Sequence, residues 1–454
     1  MVGFMNAIDG RRTSAGSKSA LLAASLGFAV VQLDVSVVNV AIKTIQAQLG
    51  GTIAGLQWVV NAYTIAFAAL ILSAGALGDR IRAKRVFTAG FVVFTAASAA
   101  CALSPALAVL IGARAVQGIG AAVLVPCSLS LLSHAYPDTR QRARAVGLWA
   151  AGGSVALSAG PLVGGLLIAW LGWRWIFLIN IPIGVAAICL TVRFAVETTQ
   201  SRHRRIDVAG QALAIIALGA LVAATVEAGR NGFTAPLVVV GFVVAVVALA
   251  VFVLTEAHTA EPMLPLKLFR SRTVSATTSI GLILNIAFYG LIFVLSLYFQ
   301  TIRHYSSLQT GLAFAPASAA VLVANLSAGR LVHLVGTRFV LAGGGVLMAA
   351  SLLGLLSINA HTGYGQIVFQ LVALGFGIGV IVPAMTAALL GCVDASRSGI
   401  ASGALNTARQ CGSALGVALL GSLAAGDLVG GLHVSLIISA VLAVTVALLA
   451  GCVE

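Results

Sequence analysis

The sequence predicts an all-α polytopic membrane protein with fourteen transmembrane helices, and three observations lead there. Of 454 residues, 60% are hydrophobic and 8% charged, whereas a soluble domain needs about a quarter charged residues to wet its surface. The apolar residues fall in runs long enough for a helix to cross the hydrocarbon core, which takes about 20 residues. Glycine is abundant, at 50 residues against 10 prolines, as expected where helix backbones approach closely in lipid. No low-complexity linker marks off a soluble domain.

The runs place spans near 19–42, 54–77, 86–103, 106–132, 145–168, 174–192, 208–228, 236–256, 273–298, 307–328, 339–357, 365–389, 400–423 and 432–451. The first is too long for a signal peptide and lacks a small-residue cleavage site, so it is read as a helix. The connections on one side carry most of the cationic residues. They include Arg80, Arg82, Lys84 and Arg85, then Arg140, Arg142 and Arg144, then Arg202, Arg204 and Arg205, then Lys267, Arg270 and Arg272. The other side holds only Lys43, Arg174, Arg230 and Arg303. Lys and Arg are retained in the cytoplasm, so both termini are expected there. The same clustering accounts for the net charge of +14. The basic residues form no continuous face, which argues against a nucleic-acid partner. Cys101, Cys127, Cys189, Cys392, Cys411 and Cys452 show neither metal-ligand spacing nor a disulfide framework.

A weak internal repeat sets the domain organisation. Gly118-Ile119-Gly120 and Val125-Pro126 recur as Gly375-Phe376-Gly377 and Val382-Pro383, and Gly147 and Gly160 recur as Gly403 and Gly416. Gly75-Ala76-Leu77 recurs as Gly329-Arg330-Leu331. The common order predicts two six-helix halves, 1–192 and 273–454. Residues 193–272 form an extra helix pair, expected on the periphery. Transporters are often built from such repeats, with the substrate site between them.

Asp34 is the acid deepest in a span. A carboxylate there costs several kcal/mol unless protonated, paired or wet. Arg114 lies at a matching depth, about 12 Å from the same membrane face at 1.5 Å per residue, so the two can form a pair or share a water cavity. A carboxyl whose charge depends on its surroundings suits proton coupling; a static structural ion pair is the alternative. The loop Gly75-Ala76-Leu77-Gly78-Asp79-Arg80 is either a solvated basic loop or a conformational latch. Gly160-Pro161-Leu162-Val163-Gly164-Gly165 combines close helix approach with a missing backbone hydrogen bond. Polar and aromatic residues within spans are unfavourable toward lipid, so the central cavity is expected to be lined by Asp34, Asn39, Trp58, Asn61, Tyr63, Gln117, Asn285, Tyr289 and Asn406. Glu227, Arg230, Glu256 and Asp394 lie near span ends, where contact with water is expected. The seven histidines pair with no Cys or acid at ligand spacing, so neither a metal site nor a hydrolytic triad is read.

Together these residues resemble the major facilitator superfamily, and within it the fourteen-helix drug–proton antiporters. Leu33-Asp34 through Ala41 is similar to the first-helix motif, with Lys43 where a proline is usual. Trp58 and Tyr63 match the second helix. Gly75 to Arg85 is similar to the superfamily loop motif, with Arg82 in place of its second glycine; the second-half copy keeps that glycine as Gly336 and has His333 for the acid. Arg114, Gln117, Gly118 and Gly120 match the fourth helix, whose Arg is implicated in proton coupling. Gly160-Pro161 and Gly164-Gly165 match the antiporter motif, although Ala156 replaces its leading glycine. Trp173-Arg174-Trp175-Ile176-Phe177 through Asn180-Ile181-Pro182 matches the start of the sixth helix, and Gly399 through Gly416, including Asn406 and Arg409, resembles the thirteenth.

The resemblance implies a major facilitator fold working by alternating access. It implies export of small organic compounds, including drugs and antibiotics, from the cytoplasm in exchange for protons. The expected setting is the bacterial cytoplasmic membrane, with the lipid bilayer and a monomeric chain. No cofactor is expected beyond the proton motive force, and no phosphate-binding loop is present. A metabolite exporter or proton symporter of the same fold is the nearest alternative. A membrane enzyme would need clustered His, Asp or Ser within spans, and a non-transporting receptor is the third class.

Overall fold

A computed structural model describes residues 2–195, 197, 207–259, 262–359, 362–393 and 398–453. The expected loop residues Arg202, Arg204, Arg205 and Asp394, and the side chains of Asp79 and Arg140, lie outside the described residues. Among the described residues fifteen α-helices follow one another, with short 3-10 turns between some of them. They are α1 (Val2–Leu49), α2 (Ile53–Ile81), α3 (Ala83–Ala102), α4 (Leu107–Ala135), α5 (Thr139–Leu171), α6 (Trp175–Leu178) and α7 (Asn180–Phe194). After them come α8 (Val208–Asn231), α9 (Pro236–His258), α10 (Arg272–Thr301), α11 (Ser307–Val335) and α12 (Thr337–Gly354). The last are α13 (Tyr364–Gly391), α14 (Ser398–Leu423) and α15 (Leu428–Leu449).

Short α6 runs into α7 to make one span, Trp175–Phe194. Among the described residues 13 helical segments are long and apolar enough to cross a membrane. The fourteenth, α14, has 26 residues, long enough at about 1.5 Å per residue. It falls short on apolarity because it carries Asn406, Arg409 and Gln410 along its length.

Local chemistry sets the helix ends. Asp138, Asp207 and Ser306 accept hydrogen bonds from the backbone N–H groups of Gln141, Gly210 and Gln309, satisfying first-turn donors. Gln309 returns a bond to the Ser306 N–H, completing a capping box. The turns between α2 and α3 and between α11 and α12 each need a positive φ. Gly336 supplies 90° in the second, but Arg82 is forced to 102° in the first. The glycine that the loop motif usually has, and this chain lacks, belongs at that strained position.

Helices α1–α7 pack among themselves, as do α10–α15. The two groups meet where α5 crosses α11, α2 lies along α14 and α1 touches α10. Helix α9 packs on α8 and exposes Leu237, Val240, Val243, Val246 and Leu254, as a lipid-facing helix does. The extra pair was expected on the periphery; α9 lies there, and α8 packs its inner face on both α2 and α14 while exposing Val208, Ile215 and Ile216. Near one end Gln211 donates to the Ala69 carbonyl (2.7 Å), and near the other Ser422 donates to the Thr225 carbonyl (2.8 Å). Its polar residues therefore point inward and clip the two groups together. Glu256 differs from expectation. It is buried rather than hydrated, and accepts a hydrogen bond from the Leu264 N–H (2.8 Å) as the chain folds back beneath α9.

Candidate functional site

A sealed polar cluster sits inside the first helix group. Asp34 of α1 is fully buried, and Arg114 of α4 nearly so. Arg114 Nη1 donates to Asp34 Oδ2 and to Gln117 Oε1 (2.7 Å), while its Nε donates to the Val59 carbonyl of α2 (3.1 Å). The guanidinium also lies 4.2 Å from the Tyr63 ring centroid. The other carboxylate oxygen, Asp34 Oδ1, accepts from Gln117 Nε2 (2.8 Å) and from Asn180 Nδ2 at the start of α7 (3.2 Å). Ser98 of α3 accepts from both amides. Five helices thus converge on one carboxylate. Each charge is paired and hydrogen-bonded, as burial of an ion pair requires. Matching depth in the sequence left open a pair or a shared water cavity, and the structure holds the pair. Asn180 and Ser98 were missed as site residues, although Asn180 stands within the sixth-helix motif.

A second feature lies between the helix groups. A cavity of about 740 Å³ is bounded by α1, α4, α5, α10, α11, α13 and α14. Asn39, Asn285, Tyr289 and Asn406 line it. Asp34, Trp58, Asn61, Tyr63 and Gln117, also expected there, do not. Helical phase is the reason. Gln117 is three residues from Arg114, so it shares the face of α4 turned to the ion pair. Tyr63 lies beneath Arg114 on that same side. Trp58 packs with Leu218 and Val222 of α8 and Ala414 and Ala418 of α14. Asn61 is fully buried, and neither its side-chain oxygen nor its nitrogen has a partner among the described residues. The sequence reading missed Trp149, Asn325 and Arg409, which do line the cavity.

The cavity extends toward the α4–α5, α11–α12 and α13–α14 connections, where Leu129, Gly147, Gly329, Leu390 and Ser402 border it. The opposite end is closed. Lys43 donates to Thr301 (3.1 Å), the Thr44 and Ser307 hydroxyls are 3.0 Å apart, and Ser296 donates to the Asn39 carbonyl (2.6 Å). Gln57 Nε2 reaches the Val417 and Ala418 carbonyls of α14 (2.8 and 2.9 Å).

The Gly160–Gly165 segment is a two-sided seat. A Cβ on Gly160 would overlap Ser36, and one on Gly164 would come 2.6 Å from Val37, so these glycines admit α1. A Cβ on Gly165 would come 2.9 Å from the Ser307 carbonyl, and one on Gly311 would overlap the Pro161 carbonyl, so α5 and α11 cross backbone to backbone. Gly78 does similar work inside the first group, where a Cβ would lie 2.8 Å from Cys127 Sγ of α4; at Gly75 a Cβ would meet Pro126 at an ordinary 3.6 Å. Arg80 is exposed beside them. Nearby, Arg82 and Arg85 approach Glu197, just after α7, at 4.0 and 3.7 Å.

Two packed helix groups with a cavity between them, and a buried ion pair beside it, define a secondary-transporter architecture. The chain belongs to the Major Facilitator Superfamily, whose family model matches residues 24–417 and, in a second overlapping match, 279–453. It is 39% identical to the methylenomycin A resistance protein of Streptomyces coelicolor over 91% of this chain and 86% of that one. It is 36% identical to the multidrug resistance protein Stp of Mycobacterium tuberculosis, over 89% of this chain and 75% of that one. The fold is similar to that of the xylose transporter XylE of E. coli in its inward-open conformation. There the TM-score is 0.67, with 14% identity over 95% of each chain.

Proposed function

We propose that this protein exports small organic compounds, drugs among them, from the cytoplasm in exchange for protons, by alternating access. The observation that carries this reading is the buried Asp34–Arg114 pair, set in its own polar cluster beside an inter-group cavity of drug-accommodating size. The resistance proteins that it resembles support the export direction. One proton moving down 100 mV releases about 2.3 kcal/mol, which sustains a substrate gradient of roughly fifty-fold. No nucleotide or other cofactor is required.

In this reading residues 1–192 and 273–454 are the two moving halves, and 193–272 is an inserted pair. The chain works as a monomer in the bacterial cytoplasmic membrane, both termini facing the cytoplasm. The Lys/Arg distribution supports that orientation, which makes the conformation described here inward-facing, ready to load cargo. Proteoliposomes carrying the purified protein test the proposal. Drug addition should release protons with the wild type and not with Asp34→Asn, provided the variant folds with a normal thermal transition. Normal drug-driven proton release by Asp34→Asn removes Asp34 from the coupling step.

A further inference from the structure

Arg409 is a cation that the coupling cluster does not use. It lies near the middle of α14's 26 residues. Either end of the helix is therefore about 15–20 Å away at 1.5 Å per residue, too far for the side chain to snorkel to either membrane surface, so half-buried Arg409 meets water only through the cavity. Its Nε is buried and has no hydrogen-bond acceptor, and no acid forms an ion pair with it among the described residues. Arg114, by contrast, is bonded to three acceptors. A cation left single inside a membrane protein is a strong functional signal.

Arg409 is also placed rather than loose. Its stem lies against Gly281 of α10, where a Cβ would come 3.2 Å from Arg409 Cγ. A larger residue at 281 would crowd Leu405 and the Arg409 stem together. The residue lines the inter-group cavity, and among the described lining residues it is the only charged one. Asn285 and Tyr289 follow Gly281 by one and two turns on the same face of α10, and Asn406 precedes Arg409 by one turn on α14. Tyr289 lies within electrostatic range of Arg409. Asn285 and Asn406 each spend one amide N–H on a carbonyl of their own helix, at 2.7 and 3.1 Å, which leaves the rest of each amide for a ligand. Phe288, Ile292, Phe314 and Leu374 make the surrounding wall apolar.

We infer that Arg409 anchors the acidic group of an amphipathic organic anion, such as a carboxylate on an apolar body, with Asn285, Tyr289 and Asn406 completing the polar end of the site. This rests on the reading of the cavity as the substrate path. A guanidinium presents a fork of donors that fits a carboxylate, and the absence of a lining acid denies a cationic drug its counter-charge.

The test uses the purified full chain and its Arg409→Gln and Arg409→Lys variants in phosphatidylcholine nanodiscs and proteoliposomes. The probes are three anions (carboxyfluorescein, 1-naphthylacetate and 4-phenylbutyrate) and one cation, rhodamine 6G. Arg409→Gln should weaken binding of at least one anion by about tenfold or more and strengthen binding of rhodamine 6G, inverting the selectivity. Arg409→Lys should retain most of the anion preference. The inference is overturned if no anion binds the wild type more tightly than it binds a folded Arg409→Gln, or if rhodamine 6G is preferred by both. Proton-driven dye movement into vesicles separates the two readings. Arg409-dependent anion binding without such movement keeps the inference and sinks the antiporter. Movement indifferent to the charge at 409 does the reverse.

Discussion

Arg114→Lys is the substitution that best separates charge from geometry in the coupling cluster. A lysine keeps the positive charge but carries one terminal nitrogen. Arg114 uses two nitrogens for three acceptors, Asp34, Gln117 and the Val59 carbonyl, and lies flat over Tyr63. An ammonium placed where Nη1 lies can still donate to Asp34 and Gln117, but gives up the Val59 bond and most of the ring contact. Hydrogen bonds from a charged group are worth about 1.5–3 kcal/mol each, and a desolvated cation–π contact adds about 1–2. The loss in the described conformation is therefore about 2.5–5 kcal/mol, about sixtyfold or more in its population at 1.4 kcal/mol per tenfold. Drug-driven proton release in proteoliposomes should fall to near the level of Arg114→Ala, and the thermal transition of the detergent-solubilised variant should drop. If Arg114→Lys keeps more than half of wild-type transport, charge alone suffices and the fork is incidental.

Two further substitutions test the conformational elements. Arg82→Gly should stabilise the protein by about 1 kcal/mol, because relief of a non-glycine at φ 102° returns about 1–3 kcal/mol. Against this stand glycine's extra chain entropy of about 0.5–1 and a weak, half-exposed contact with Glu197. Arg82→Ala, which removes the charge but not the strain, should give no gain, while Gly336→Ala should destabilise; thermal midpoints of all three decide, and equal gains for Gly and Ala at 82 would dismiss backbone strain. Gly311→Val should block closure of the α5–α11 crossing, since even a Cβ overlaps the Pro161 carbonyl. Cysteine cross-linking between the ends of α5 and α11 should become inefficient and export should fall at least tenfold; unaltered cross-linking would show that the crossing tolerates bulk.

The helical membrane fold was legible because bilayer crossing imposes a length and an apolarity on every span, and the two are read directly. The ion pair was legible because two lone charges at equal depth have few alternatives to each other. The cavity wall was not. Choosing polar residues within spans finds side chains that avoid lipid, but it does not say which inward face they occupy. Asn39 and Asp34 differ by five residues, about 140° around the helix, and so serve different sites. Trp58 avoids lipid by meeting α8, a helix that the repeat left without a partner and that periodicity alone could not seat. The Arg82 turn shows the opposite case. A departure from the loop motif, visible in the sequence, acquires its physical meaning only when the turn's φ is known.

The arrangement of α1 bears on how a proton and a substrate could be linked. Within residues 34–39 this one helix holds the buried carboxylate, the seat on Gly160 and Gly164, a cavity-lining amide and a carbonyl held by Ser296 of the opposite group. If Asp34 takes up a proton, the neutral pair becomes a single positive charge on Arg114 inside the membrane. That is costly unless the guanidinium finds other acceptors. The cluster has spare ones: the Asn180 side-chain oxygen and the Tyr63 hydroxyl are both buried without a hydrogen-bond partner. Exchanging one charge-assisted bond for another involves about 1.5–3 kcal/mol. One proton crossing 100 mV supplies about 2.3. In the proposed coupling, protonation of Asp34 would let Arg114 re-pair with these acceptors, while Gln117 of α4 keeps its bond to Asp34.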